Sequence, residues 1–163
     1  MRHTGRVYQN LFEDQLVSIT DDLNGAWTFA YDAVGNLVSK TNPRGKTTTY
    51  TYDNLGRLLT ETDPLSNVRS YAYDLGGRLV ARTDPKSQVI EYTYNDRNEL
   101  TRIDYPDTSF VSFAYNDAGA RTQMVDATGT TAYSYDALYR LTSVTFPGSR
   151  TVSYGYDAAS RRT

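Results

Sequence analysis

Directly after a recurring tyrosine, the chain places Asp32, Asp53, Asp74, Asn95, Asn116, Asp136 and Asp157. Carboxylates stacked at a constant spacing have the chemistry to hold Ca²⁺. They are equally suited to accept the backbone N–H groups of their own turns. Asn95 and Asn116 keep an acceptor and lose the charge, which favours turn capping, so neither a metal nor a cofactor is expected. Four residues after each of these positions come Asn36, Arg57, Arg78, Glu99, Ala120, Arg140 and Arg161. A basic stripe beside aromatics suits acidic glycans or single-stranded nucleic acid. Glu99 and Ala120 interrupt it, and the Asp column is close by, so local Arg–Asp pairing on a solvated face is the preferred reading. Exposed pairs of that kind contribute about 0–1 kcal/mol.

Other chemistry finds little support. His3 is the only histidine and sits near the N-terminus, so a Ser/His/Asp triad has no base in the folded part. Asp21-Asp22 and the Glu61/Asp63 pair lie beside turn signals, and no phosphate-binding loop of the GxxxxGK[ST] form occurs. No catalytic residue is expected. The tyrosines offer stacking platforms for sugars; Tyr71, Arg57 and Arg78 are the residues an array of this kind would turn to a carbohydrate. Tyrosines so periodic serve sheet packing more often than ligands.

The tyrosines that set this spacing are Tyr31, Tyr52, Tyr73, Tyr94, Tyr115, Tyr135 and Tyr156; all but one of the steps are 21 residues, the exception being 20. A fixed period in this range marks a repeat architecture. Two residues earlier stand Phe29, Tyr50, Tyr71, Tyr92, Phe113, Tyr133 and Tyr154. Four residues later stand Gly35, Gly56, Gly77, Asn98 and Gly119, then Tyr139 and Ser160. Six later come Leu37, Leu58, Leu79, Leu100 and Leu141, with Arg121 and Arg162 as departures. All 5 prolines fall twelve residues after a column tyrosine, and Ala127 fills that place in the one remaining unit.

The columns predict β-hairpins. In Val68–Tyr73, Arg69, Tyr71 and Tyr73 fall on one face and Val68, Ser70 and Ala72 on the other. Asp74 to Gly77 reads as a turn whose glycine takes a left-handed backbone, a conformation Asn98 also tolerates. Leu79–Thr83 reads as the return strand and Asp84-Pro85-Lys86-Ser87 as a second turn. No window carries a helical period free of breaks. The fold expected is all-β, with antiparallel hairpin repeats of about 21 residues in one continuous, curved or spiralling sheet. Residues 1–26 form an N-terminal segment with a degenerate repeat, and residues 27–163 the array, its last unit incomplete. Without a capping segment, the terminal strands expose edges, as in a piece of a longer array.

Composition sets limits. A net charge of −2 and a pI near 5.3 give no pull toward nucleic acid or anionic membranes. There is no cysteine, hence no disulfide frame. No apolar run is long enough to span a membrane, and the first residues lack the apolar centre of a signal peptide. Leu, Ile, Val and Phe make up just under a fifth of the chain; 15 tyrosines supply the missing apolar body.

The segments YDAVGNL, YDNLGRL, YDLGGRL, YNDRNEL, YNDAGAR and YDALYRL, each followed by a second turn, which is Asp63-Pro64 and Asp84-Pro85 in two of them, resemble the YD or Rhs repeats. That family includes bacterial Rhs polymorphic toxins, the shell components of Tc insecticidal toxins, and teneurins. The resemblance implies a segment of a β-sheet shell, non-enzymatic, secreted or at the cell surface, that scaffolds or encloses a toxin cargo. Its partners would be the rest of a shell or neighbouring chains, and the toxin domain. A carbohydrate- or cell-surface-binding module is the alternative. The family's self-cleaving, shell-closing segment and its toxin domain have no counterpart here, and a shell needs many more repeats.

Overall fold

The computed structural model describes residues 8–12, 15–21, 23 and 25–163, with only the backbone of 8–12. His3, Asp22 and Asn24 lie outside the described residues. Among the described residues the chain is all-β apart from one short 3-10 turn at Pro147–Ser149. It divides into two compact units. One comprises Met1–Ala72 with Arg82–Gln88, the other Tyr73–Ala81 with Val89–Thr163.

The first unit holds β1 (Tyr8–Phe12), β2 (Gln15–Thr20), β3 (Ala26–Tyr31), β4 (Leu37–Thr41), β5 (Thr47–Tyr52), β6 (Leu58–Thr62) and most of β7 (Val68–Tyr73). Strand β8 (Leu79–Thr83) gives residues to both units. The second holds β9 (Val89–Tyr94), β10 (Leu100–Asp104), β11 (Phe110–Tyr115), β12 (Arg121–Asp126), β13 (Gly129–Tyr135), β14 (Leu141–Thr145) and β15 (Thr151–Ser153). Within each unit every strand pairs antiparallel with its sequence neighbours.

Alternation gives the sheet two unlike faces. Phe29, Tyr50 and Tyr52 lie half-buried on one, and the exposed Ala30, Thr49 and Thr51 on the other. The second face is built of small, mostly hydroxylated pairs such as Thr28–Thr41, Ser39–Thr49, Thr49–Thr62 and Thr60–Ser70. Some bond directly: Thr41 to Thr47 at 2.8 Å and Thr51 to Thr60 at 2.6 Å. Cross-strand pairs of this sort are the unit of sheet stabilisation. Among the described residues only Val144 and Thr131 are buried, at 7% and 5% exposure. Cohesion therefore runs along the strand order, from hairpin to hairpin, as in other one-dimensional arrays.

Both turn classes use one geometry. In the tyrosine-aspartate turns, the Asp32 N–H donates to the Asn36 carbonyl and the Gly35 N–H to the Asp32 carbonyl, at 2.9 and 3.1 Å. The same pair of bonds closes Asp63 to Asn67 and Asp84 to Gln88 in the second class. Among the described residues, each five-residue turn puts a left-handed residue in its fourth place, and the turn at 146–150 adds Gly148 before it. The first class supplies Gly35, Gly56, Gly77, Asn98, Gly119, Tyr139 and Ser160; the second supplies Gly45, Ser66, Ser87, Thr108 and Ser149. The lone 20-residue step has a structural cause. Thr62 and Val68 enclose five residues, whereas the equivalent Val125 and Thr130 enclose four, Asp126 to Gly129.

Candidate functional site

The hairpins that end in Tyr31, Tyr52, Tyr94, Tyr115 and Tyr135 each carry a β-bulge that the sequence does not announce. Tyr31 faces Leu37 and Ala30 faces Ser39, so Val38 is the extra residue; Leu59 and Thr101 are extra in the same way. On the far side, the ladder to the next hairpin stops at Ser39–Thr49, leaving the Leu37 carbonyl beyond its last pair. The tyrosine of the next repeat fills that gap. The Tyr52 hydroxyl donates to the Leu37 carbonyl at 2.9 Å, and Tyr31, Tyr94, Tyr115, Tyr135 and Tyr156 donate to the carbonyls of Leu16, Leu79, Leu100, Arg121 and Leu141 at 2.8–3.0 Å. Because the acceptor is backbone, Arg121 serves in the leucine column as well as leucine does. Burial pushes the Tyr52 and Tyr94 phenols up, with Tyr50 and Asp32 adding to the rise at Tyr52. A phenol raised in the fold stabilises fully below its unfolded value of about 10 and loses that contribution as pH rises through the folded value. Stability should therefore drop above about pH 10, and Tyr52→Phe should reduce the drop; urea midpoints at neutral and alkaline pH measure it.

The aspartates are turn caps. Asp53 Oδ1 accepts the N–H groups of Leu55 and Arg57 at 2.9 and 3.0 Å, while Oδ2 accepts Arg57 Nε at 2.6 Å. Arg78 Nε meets Asp74 at 2.6 Å; Arg140 and Arg161 meet Asp136 and Asp157 at 2.7 Å each. Asn36 and Asn67 make the neutral version with Asp32 and Asp63. Among the described residues, no three His, Cys, Asp or Glu side chains group to hold a metal ion.

Some arginines go further and join one turn to the next. Arg78 Nη1 donates to the Asn95 carbonyl at 3.2 Å and Asn98 Oδ1 at 2.8 Å, its guanidinium 5.1 Å from the Tyr94 ring. Arg140 repeats this on the Asp157 carbonyl and Ser160 Oγ, 4.7 Å from the Tyr156 ring. Arg97, two positions out of column, reaches the Asn116 carbonyl at 3.0 Å and pairs with Glu99. Of the residues read as carbohydrate contacts, Arg57 and Arg78 hold turn carboxylates, and Tyr71 lies half-buried in β7, facing Arg69 on the same strand.

A family model described as RHS Repeat matches residues 13–46, 31–68, 55–89, 73–109, 94–131, 115–151 and 135–163. The chain belongs to the Rhs repeat family. No curated protein matches the sequence. Among solved structures, TcdB2-TccC3 without its hypervariable C-terminal region is similar over 98% of this chain and 11% of its own, at 17% identity and a TM-score of 0.77. The Photorhabdus luminescens Tc holotoxin pore with a TccC3 mutation gives 18% identity and 0.78 over the same shares. A TcdB2-TccC3-Cdc42 structure gives 20% and 0.73, over 98% and 10%. The Rhs repeats here thus span about a tenth of the length of those chains and share their fold.

The charged caps of these Rhs repeats have a pH signature. The carboxyls of Asp53, Asp74, Asp136 and Asp157 are held below the ordinary value of 3.8, first by the N–H of the arginine four residues on. Asp32 and Asp63 are lowered first by the amides of Asn36 and Asn67. A lowered carboxyl stabilises above its unfolded value and loses that contribution as pH falls through the folded one. The urea midpoint should therefore fall as the pH drops below about 4. Asp53→Asn with Asp136→Asn should flatten that fall, since Asn95 and Asn116 already close the same turn without charge.

Proposed function

We propose that this chain is a non-enzymatic wall segment of an Rhs β-shell that scaffolds or encloses a toxin or effector cargo, with residues 27–163 as the array and 1–26 as a lead-in. One observation carries the reading: among the described residues, hairpins of one design are joined only to their sequence neighbours within each unit, with almost no side chain fully buried. An enzyme or small-ligand receptor needs a concave, preorganised site. A wall needs lateral continuity and two solvated faces. Membership of the Rhs family and the fold shared with TcdB2-TccC3 support the same role. The partners would be further repeats along the strand order and the enclosed cargo, and the assembly would act outside the cell that makes it.

The alternative, a carbohydrate-binding array, rests on the aromatic and arginine columns. A glycan array separates the two. The wall reading expects no saturable signal from the purified chain. A saturable signal lost in both Tyr71→Ala and Arg78→Ala would transfer the function to carbohydrate binding.

A further inference from the structure

Two open grooves occur in the first unit, the larger between the consecutive turns 32–36 and 53–57, the smaller beside turn 32–36 and β2. The larger, about 480 Å³, is lined by Asp32, Asn36, Tyr50, Tyr52, Asp53 and Gly56, among others. The smaller, about 280 Å³, is lined by Gln15, Phe29, Tyr31, Asp32 and Gly35, among others. Every residue lining the smaller groove has its counterpart 21 positions on in the larger. The two share one frame, to which the larger adds Asp32 and Val34 of its first turn.

The second unit shows what fills this site. Where the column after the turn holds arginine, the guanidinium lies between the two turns. Its Nε is on the carboxylate of the first turn, its Nη1 on the leading carbonyl of the next, and its plane near the following tyrosine. In the large groove that column holds Asn36, whose amide reaches Asp32 Oδ2 at 2.9 Å and so makes only the first of these contacts. The other contacts are in place. The Asp53 carbonyl stands for that of Asn95, which accepts both its own turn N–H and Arg78; the Tyr52 ring stands for that of Tyr94. Asp32 supplies negative charge, and its Oδ2 has a further lone pair beyond the Asn36 bond.

We propose that the groove between turns 32–36 and 53–57 is a receptor for an arginine side chain presented by another polypeptide. The occupant follows from the chain itself, which closes the equivalent gaps with Arg78 and Arg140. A flat fork can bond a carboxylate and a carbonyl edge-on while laying its face on an aromatic ring; a lysine ammonium cannot do all three. The ligand class differs from the carbohydrate considered above, and the site lies on the turn edge of the sheet.

Amide NMR on the ¹⁵N-labelled chain tests this. The probe is N-acetyl-arginine amide, with the lysine analogue, glucose and NaCl as comparisons. Saturable shifts are expected at Asn54, Gly56 and the Asn36 side-chain amide, with affinity at least about fivefold higher for arginine than for lysine. Asn36→Arg, a change the array already tolerates at position 78, should close the groove and abolish these shifts while leaving the spectrum folded. Arg78→Asn should open an equivalent groove and add a new set of shifts at Asn98. Shifts no larger for arginine than for lysine or salt, shifts caused by glucose instead, or undiminished binding to folded Asn36→Arg would each overturn the proposal.

Discussion

Tyr52→Phe should lower stability by about 1 kcal/mol, and Tyr52→Ala by about 3 kcal/mol, in urea unfolding at neutral pH. The phenylalanine variant keeps the ring on the aromatic face and removes the hydroxyl that reaches the Leu37 carbonyl at 2.9 Å. That carbonyl lies past the last ladder pair, Ser39–Thr49, so no backbone donor of the next strand replaces the lost one. A net hydrogen bond contributes about 0.5–1.5 kcal/mol, which sets the smaller figure. Removing the ring also takes away half-buried apolar surface between hairpins. Full burial of an aromatic would raise the penalty to as much as about 5 kcal/mol, and the partial exposure here brings it down. If Tyr52→Phe unfolds at the wild-type urea concentration, the hydroxyl is not a structural tie between repeats.

Gly56→Val should cost about 1–2 kcal/mol, a fall of about 2–8 °C in melting temperature. Gly56 has φ +74°, and an added Cβ would stand 3.3 Å from Asn36 Oδ1. A β-branched residue is poorly tolerated there, although valine also narrows the unfolded ensemble and offsets part of the loss. The reverse change supplies the control. Thr108 already holds a β-branched side chain at φ +69°. Thr108→Gly should gain about 0.5–1 kcal/mol, the relief of left-handed strain less the added backbone entropy of glycine. Opposite signs at the two positions would identify backbone conformation as the cause, and equal signs would remove it.

The hairpin period, the first left-handed column and the Asp–Arg pairing four residues apart were all legible in the sequence, because each depends on residues close together in the chain. Asn98 in the glycine column was a local signal of this kind. The second left-handed column was not, since Ser66, Ser87 and Thr108 are not residues that signal positive φ. The tie from Tyr52 to Leu37 was hidden for a different reason. It needs a bulge and a ladder that stops short, neither of which leaves a residue-type signature, and its acceptor is backbone. The reach of Arg78 to Asn98 spans 20 positions and becomes visible only when two turns are placed side by side. Periodicity could have hinted at it, because Arg78 and Asn98 recur as Arg140 and Ser160.

The proposed role as a wall segment requires strand edges that accept further strands. Among the described residues, β1 pairs only with β2 and β15 only with β14. Size-exclusion chromatography with light scattering across a concentration series, alongside far-UV circular dichroism, tests it most directly. The account predicts a β-rich spectrum and a mass that grows with concentration through edge pairing. A β-rich, stable monomer at every concentration would contradict it and favour a self-contained binding module.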